Sequence, residues 1–229
     1  MKTIGLIGGT SWHSTIAYYR LINEMVGETV GTDQNPPIWI HSLNIQLMRG
    51  QNRNEINEKY LEVARQLEDN GAEAIAICAN TPHMVYPFVQ PKINIPILHI
   101  ADATGHAAKK QGLTKLGLFG NKPTMTGDFI SARLKDHFNI DVILPGEEEI
   151  ERSHYFVSQE LTRGKFTGEA RSFYREQILR LADRGADGII LGCTELPLLL
   201  EQDSASVPLL PTTHLHARMI ADFILGKKR

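Results

Sequence analysis

The sequence predicts an α/β fold built from two similar halves, each a parallel sheet covered by helices. Three pairs of segments share their sequence pattern at nearly one offset: 3–8 with 115–120 and 95–98 with 207–210 at 112 residues, and 71–81 with 185–195 at 114 residues. Apolar strands alternate with helical segments in both copies, which favours parallel sheets. Repetition of the whole pattern favours an internal duplication.

Length and composition fit a soluble, cytoplasmic protein. The chain has 229 residues, 42% of them hydrophobic, which is enough for one large or two small domains. A net charge of −2 leaves no positive surplus to neutralise nucleic-acid phosphates. No apolar run approaches the roughly 20 residues of a membrane-spanning helix, and the N-terminus lacks the pattern of a signal peptide. Cys78 and Cys193, the two cysteines, fit neither a disulfide framework nor a metal site.

The first half begins with an apolar run that ends in paired glycines. Its strands are expected at 2–9, 38–42, 74–77 and 95–99. An amphipathic stretch from 16 to 25 predicts a helix that Gly27 closes, and apolar residues at helical spacing predict a second helix over 54–70. Pro82 suits the first turn of another helix.

The pattern restarts in the second half, which sets the domain boundaries. We expect an N-terminal α/β domain of residues 1–100, to which a C-terminal helix at 214–229 returns, and a second α/β domain of residues 101–213. In parallel sheets, ligands bind at the carboxyl ends of the strands. The loops 8–11, 79–81, 120–121 and 193–195 all follow predicted strands. If the halves face each other, these loops surround one cleft, which is where we expect the active site.

Five motifs then point to a known family. They are GGTSWHST at 8–15, NTPH at 80–83, HIAD at 99–102, GCTE at 192–195 and TTHLH at 212–216. Together they resemble the aspartate/glutamate racemase superfamily over nearly the full length. The glycines at 8–9 and the pair Thr194-Glu195 favour its aspartate racemase branch. The resemblance implies two pseudosymmetric domains, often a homodimer, and racemisation of an amino acid or dicarboxylate-type substrate without pyridoxal phosphate or metal.

Cys193 is the predicted acid/base. The α-proton of an amino acid is weakly acidic, so its removal needs a well-placed base. A thiolate serves if its pKa, about 8.5 when unperturbed, is lowered by a helix N-terminus or a positive charge. Cys193 follows a strand and precedes a helical segment, as that requires. In the family a second cysteine normally stands immediately before Asn-Thr.

Here that position is Ala79, which is chemically inert. Cys78 is adjacent, but neighbouring strand residues point to opposite faces. We therefore expect its thiol in the sheet packing unless a bulge turns it toward the site. The two-thiol mechanism does not carry over intact.

Further residues are implied by the resemblance as substrate contacts. They are Thr10, Ser11, Gln51, Asn80, Thr81, Lys165, Thr194 and Glu195. Lys165 would meet a side-chain carboxylate, while Asn80, Thr81 and Thr194 would hold the α-carboxylate or ammonium. Glu195 would orient the thiol or bind the ammonium, and the same polar residues also suit ordinary turns and helix caps.

The sequence thus favours a cofactor-independent amino-acid racemase that acts on aspartate- or glutamate-like substrates. A one-base decarboxylase or isomerase of the same superfamily is the alternative, as is a binding-only or weakly active variant. A nucleotide-binding loop is disfavoured, because Gly5-x-x-Gly8-Gly9 is not Gly-x-Gly-x-x-Gly and no Walker lysine follows.

Overall fold

A computed structural model describes residues 1–200 and 205–227 of the chain. The chain divides into two compact units. The first unit comprises Met1–Ile100 and the chain from His216 onward, and the second unit comprises Ala101–Leu215. Within the described residues, no helix is long and apolar enough to cross a membrane.

The first unit holds a four-stranded parallel sheet in the order β2-β1-β3-β4. Its strands are β1 Ile4–Gly8, β2 Ile38–Ser42, β3 Ala74–Ile77 and β4 Ile97–Leu98. Its helices are α1 Trp12–Val30, α2 Gln46–Arg49, α3 Arg53–Asp69 and α4 Tyr86–Val89, with a 3₁₀ turn at Thr81–Val85. β1 and β3 are buried along their whole length, as apolar central strands of a parallel sheet should be.

The second unit repeats this plan with a sheet in the order β6-β5-β7-β8, again all parallel. Its strands are β5 Lys115–Phe119, β6 Asp141–Ile143, β7 Gly188–Leu191 and β8 Leu209–Pro211. Its helices are α5 Ile100–Lys110, α6 Lys122–Thr126, α7 Asp128–Phe138, α8 Glu147–Tyr155, α9 Gly168–Asp183 and α10 Leu196–Leu199. α5 begins at the last residue of the first unit, and α11 Thr212–Ile224 starts in the second unit and ends in the first.

Strand register confirms the duplication and fixes its alignment. Ile7 of β1 pairs with Ile77 of β3, and Phe119 of β5 pairs with Leu191 of β7. Beyond these pairs, the N–H of Cys78 donates to the carbonyl of Ile7 at 2.9 Å, and the N–H of Gly192 donates to that of Phe119 at 2.8 Å. Cys78 is therefore the counterpart of Gly192, and the next residues, Ala79 and Cys193, correspond.

The predicted helix over 54–70 is confirmed as α3. The side chain of Asn52 accepts a hydrogen bond from the N–H of Glu55, which caps the first turn. The helix ends just before Gly71, whose φ of 85° only glycine adopts readily. Its apolar face buries Ile56, Tyr60, Leu61, Val63, Ala64 and Leu67, and each large apolar side chain contributes about 1.5–3 kcal/mol by leaving water.

The prediction that Gly27 closes the first helix is wrong. α1 continues to Val30, and Gly27 lies buried inside it. The carbonyl of Gly27 accepts the N–H of Gly31 at 2.9 Å, and Gly31, with φ 94°, ends the helix. A single interior glycine costs only about 1 kcal/mol, and burial of the neighbouring Ile22, Met25 and Val26 outweighs that cost.

Candidate active site

In the second unit, the predicted cysteine lies just after the carboxyl end of β7. Gly192 lets β7 approach β5 closely, since a Cβ at this position would lie 2.7 Å from the carbonyl oxygen of Phe119. Cys193 follows directly and is half-buried, at the border of the apolar cluster beneath α9 and α10. Its thiol therefore sits where an apolar interior meets polar residues.

The thiol of Cys193 is paired with the carboxylate of Glu195. Sγ donates a hydrogen bond to Glu195 Oε2 at 2.9 Å. Glu195 is itself buried, with 9% of its surface exposed. A donating sulfur carries its proton, so the structure presents a thiol beside a proton acceptor.

Burial raises the pKa of the Cys193 thiol well above its ordinary value, and the Glu195 carboxylate raises it further. The backbone N–H groups of Glu195 and Leu196 lower that pKa, but they are outweighed. The expectation of a thiolate held by a helix N-terminus is therefore wrong. α10 has only four residues, and its N–H groups compete with both desolvation and a neighbouring negative charge.

Glu195→Gln is expected to lower the pKa of Cys193, because it removes the carboxylate that disfavours the thiolate. The pH dependence of Cys193 alkylation by iodoacetamide, followed by peptide mass spectrometry, measures this change. We expect the midpoint at a lower pH than in the unmodified protein. Glu169→Gln, which removes an exposed carboxylate paired with Arg152, is the matched control. An unchanged or higher midpoint in Glu195→Gln would contradict the pairing.

A buried hydroxyl pair supports the loop beside the thiol. The hydroxyl groups of Tyr174 and Ser153 lie 2.9 Å apart, and Ser153 Oγ donates to the carbonyl of Gly120 at 3.0 Å. Burial raises the pKa of Tyr174, and the adjacent Cys193 adds to the shift. Sequence analysis missed both residues. The signal was available, because Tyr60 of the first unit stands 114 positions before Tyr174, the offset that relates Ala79 to Cys193.

The start of α11 holds the end of β7 from the other side. Thr212 Oγ1 donates to the carbonyl of Leu191 at 2.9 Å, and Thr213 Oγ1 donates to Thr194 Oγ1 at 3.5 Å. Thr194 is half-buried. The structure thus brings Cys193, Thr194 and Glu195 together at one strand end.

Lys165 lies elsewhere in the second unit, on an exposed loop. A π-helical turn at Phe156–Glu160 and a 3₁₀ turn at Leu161–Arg163 lead into this loop, and π-helical turns are frequent at functional sites. The N–H of Lys165 donates to the carbonyl of Glu160 at 3.0 Å. Across residues 1–200 and 205–227, no hydrogen bond or ion pair joins its side chain to Cys193, Thr194 or Glu195.

The corresponding strand end of the first unit lacks both members of the thiol–carboxylate pair. Ala79 replaces the cysteine, and Thr81 stands where the second unit has Glu195. Cys78 is only 2% exposed, and burial raises the pKa of its thiol. Ser14 Oγ donates to the carbonyl of Cys78 at 2.7 Å. Cys78 thus packs inside the sheet, as its place in the strand predicts.

His83 fixes the backbone of this strand end. Its Nε2 receives the N–H of Ile100 at 3.2 Å, so the ring proton is on Nδ1, which donates to the carbonyl of Ala79 at 2.8 Å. His83 is fully buried. Asn80 is buried and Thr81 is half-buried in the same turn, so Ala79, Asn80 and Thr81 are held together.

The loop that follows β1, the strand paired with β3, contains Thr10 and Ser11. Gly9 has φ 90°, and a Cβ there would lie 1.9 Å from the carbonyl oxygen of Leu43, so no other residue fits this turn. Thr10 Oγ1 lies 3.1 Å from the hydroxyl of Tyr60, and Ser11 Oγ accepts the N–H of Ser14 at 3.3 Å. Both side chains are thus engaged within the first unit.

Gln51 comes from a separate loop, between α2 and α3. Its φ is 53°, the left-handed region that residues other than glycine and asparagine rarely adopt. Its N–H donates to the carbonyl of Met48 at 3.3 Å, and the residue is exposed. Unfavourable backbone conformations concentrate at functional sites, which is consistent with the predicted role of Gln51.

Sequence comparison identifies the family. The sequence profile described as Asp/Glu/Hydantoin racemase matches residues 7–220. The chain belongs to this racemase family. Over 223 residues it is 23% identical to the broad specificity amino-acid racemase RacX of Bacillus subtilis (strain 168), with 92% of each chain covered.

Solved structures of racemase relatives share the fold. A candidate Asp/Glu racemase from Yersinia pestis is 38% identical, with a TM-score of 0.93 over 98% of this chain and 100% of the other. An aspartate racemase homologue from Pyrococcus horikoshii OT3 is 34% identical, with a TM-score of 0.84 and the same coverage. Picrophilus torridus aspartate racemase, at 20% identity and a TM-score of 0.73 over 100% of this chain and 96% of the other, shares the fold.

Within this racemase fold, two of the histidines in the family motifs, His83 and His216, have structural roles. His83 holds the Ala79 turn. His216 is fully buried; its Nε2 donates to the carbonyl of Leu98 at 2.6 Å, and its Nδ1 accepts the hydroxyl of Tyr18 at 2.9 Å. In each ring, both nitrogens form hydrogen bonds with neighbours in the first unit, so neither histidine is placed as a free acid or base.

Proposed function

We propose that this racemase-family protein catalyses α-proton exchange on an aspartate- or glutamate-like amino acid, with Cys193 as its one thiol acid/base and without a cofactor. The observation that carries the proposal is the 2.9 Å hydrogen bond from Cys193 Sγ to Glu195 Oε2 at the end of β7. The substrate class is supported by family membership and by the names of the amino-acid and aspartate racemases to which the chain is similar.

The paired carboxylate explains how a thiol of raised pKa acts as a base. The thiol proton moves to Glu195 Oε2, which leaves a thiolate and a neutral carboxylic acid. The thiolate then removes the α-proton and becomes a thiol again, while the electron pair of the C–H bond passes into the substrate carboxylate. Each unit by which the thiol pKa exceeds that of its acceptor costs about 1.4 kcal/mol in the first transfer, so catalysis depends on this short contact.

Substrate carboxylates need partners near the thiol. Thr194 offers a hydroxyl directly after Cys193, in contact with Thr213. Lys165 offers a positive charge on an exposed loop of the same unit, which suits a second, side-chain carboxylate. We propose that substrate binding brings this loop to the dicarboxylate. Thr10, Ser11, Gln51, Asn80 and Thr81 stay predicted substrate contacts.

The inert Ala79 makes the two directions of proton transfer unequal. Cys193 returns its proton to the face from which it took one, and this step regenerates the starting enantiomer. Inversion requires a proton from the opposite face, and a methyl group cannot supply it. We therefore propose fast exchange of one enantiomer and slow racemisation, with water as the second proton donor.

Incubation in deuterium oxide tests this proposal. With L- and D-aspartate and L- and D-glutamate supplied separately, ¹H NMR follows loss of the α-proton and chiral chromatography follows inversion. We expect exchange of one enantiomer at least about tenfold faster than its inversion. Equal rates of exchange and inversion would show a second efficient acid/base. Absence of exchange with all four amino acids would refute the racemase proposal, and release of carbon dioxide from a malonate would then favour the one-base decarboxylase.

A further inference from the structure

The loop that carries Lys165 is closed at its base by the side chain of Glu160. This loop, residues 162–166, is exposed throughout, while Leu161 directly before it is only 1% exposed. Thr167 Oγ1, directly after the loop, donates a hydrogen bond to Glu160 Oε2 at 2.7 Å. The carboxylate of Glu160 therefore connects the two ends of an exposed segment.

The backbone of Glu160 holds the same loop at a second point. Its carbonyl accepts the N–H of Lys165 at 3.0 Å. Gly164, in the left-handed region with φ 74°, turns the chain back, and its N–H donates to the carbonyl of Leu161 at 2.9 Å. Glu160 thus fixes position 165 through its carbonyl and position 167 through its carboxylate.

The π-helical turn at Phe156–Glu160 sets the direction of the Glu160 side chain. Such a turn contains one residue more than an α-helical turn, so it rotates the residues that follow by roughly 100° about the helix axis. The first two residues of the turn are buried in the apolar cluster that Cys193 borders, which anchors it. Glu160, the last residue of the turn, is half-buried and reaches Thr167.

The contact with Thr167 also decides which charge is left for a ligand. Glu160 lies five residues before Lys165, and their opposite charges attract each other. The Glu160 carboxylate is nevertheless engaged by the Thr167 hydroxyl, and among the residues that the structure describes the Lys165 ammonium makes no ion pair. Arg163, the other cation of the loop, donates to Gln159 Oε1 at 2.6 Å. The loop therefore keeps one ammonium available for the carboxylate of a ligand.

We propose that Glu160 is a positioning residue that gives the protein a preference for substrates with a second carboxylate. It holds the loop in one backbone conformation with the Lys165 ammonium unpaired, so binding of a dicarboxylate has little left to order. This role rests on the proposed pairing of Lys165 with the side-chain carboxylate of the substrate, and it adds the residue that makes the pairing effective. Without the contact between Glu160 and Thr167, binding has to order the loop first, and each freed residue weakens affinity by about tenfold.

Isothermal titration calorimetry with succinate and butyrate tests this role without relying on catalysis. Succinate has the two carboxylates of aspartate but no ammonium, and butyrate has one carboxylate. We expect Glu160→Leu to weaken succinate binding by about tenfold and to leave butyrate binding within about twofold of the unmodified protein. Glu160→Gln and Thr167→Ser, which keep the acceptor and the donor, should retain the affinity for succinate. Thr162→Val is the matched control, because it removes a loop hydroxyl that donates to the carbonyl of Ser158 instead.

A double variant shows whether Glu160 acts through Lys165. Lys165→Gln should weaken succinate binding by at least about tenfold. Adding Glu160→Leu to it should cause no further loss, because the loop then has no ammonium to present. Three results would overturn the proposal: no saturable succinate binding by the unmodified protein, unchanged affinity in Glu160→Leu, or a tenfold loss from Glu160→Leu that persists in the Lys165→Gln background.

Kinetics separate this role from the proposed reaction. In deuterium oxide, Glu160→Leu should raise the KM of aspartate for α-proton exchange by about tenfold and keep kcat within about twofold. Exchange of aspartate without that rise in KM would overturn the role of Glu160 and leave the proposed function standing. If no amino acid exchanged while succinate bound as expected, the reaction would be refuted and the positioning role supported.

Discussion

Cys193→Ala is expected to lower the rate of α-proton exchange by about 10³-fold, the usual contribution of a positioned general base. In the proposed mechanism the thiol is the member of the Cys193–Glu195 pair that removes the α-proton, and alanine at this position has no proton to exchange. Loss of the substrate α-proton signal in deuterium oxide measures the effect. Because Cys193 is half-buried and alanine is smaller, the variant should keep its fold, which circular dichroism checks.

Cys78→Ala is the matched control for this substitution. It removes the other thiol, which is 2% exposed and lies inside the first sheet. We expect its exchange rate within about twofold of the unmodified protein, together with a loss of about 1 kcal/mol in the free energy of unfolding from the smaller core side chain. If the folded Cys78→Ala protein lost exchange while Cys193→Ala retained it, the assignment of the acid/base would be reversed.

The fold was predictable because its signals are local and repeated. Buried strands of a parallel sheet are continuous apolar runs, and β2 and β3 begin and end at the predicted residues 38–42 and 74–77. The offsets of 112 and 114 residues then reappear in the strand registers. An error arose at Gly27, where a local helix-stop signal competes with burial that only the folded chain reveals.

The position of the cysteine was also predictable, but its protonation was not. The apolar pattern of the strand predicts that Cys193 lies at the carboxyl end of that strand. The direction of its pKa shift depends on which way the Glu195 carboxylate turns and on how much solvent reaches the sulfur. Both features are set by α9, α10 and the surrounding apolar cluster. These neighbours either lie far from Cys193 in sequence or act through the conformation of their side chains. A sequence motif encodes neither the orientation of the Glu195 carboxylate nor the exposure of the sulfur to solvent.

Glu195 shows how the two strand ends have diverged chemically. The duplication aligns Glu195 with Thr81 and Cys193 with Ala79, so the first unit has neither a thiol nor a carboxylate at these two positions. His83 still holds the Ala79 carbonyl at 2.8 Å, and Cys78 still bonds to β1 as Gly192 bonds to β5. The backbone that would present a residue at position 79 is therefore intact.

Ala79→Cys is accordingly expected to raise the rate of inversion by at least about 10²-fold, the lower range for a general acid or base. The new thiol occupies the position that the register aligns with Cys193, on a backbone that His83 already orders. Since position 81 is a threonine, the new thiol has no adjacent carboxylate to raise its pKa. Chiral chromatography of L- and D-aspartate reactions measures inversion directly.

Two further variants make this expectation specific. Ala79→Ser adds a group of similar size that is far less acidic, and it should leave inversion at the level of the unmodified protein. The double variant Ala79→Cys with Cys193→Ala keeps one thiol but moves it to the other strand end. In a two-base scheme each thiol serves one face of the α-carbon, so the enantiomer that exchanges fastest should be the opposite of the one preferred by the unmodified protein. If Ala79→Cys left inversion unchanged although alkylation showed a reactive new thiol, position 79 would not be the missing acid/base, and slow racemisation would have another cause.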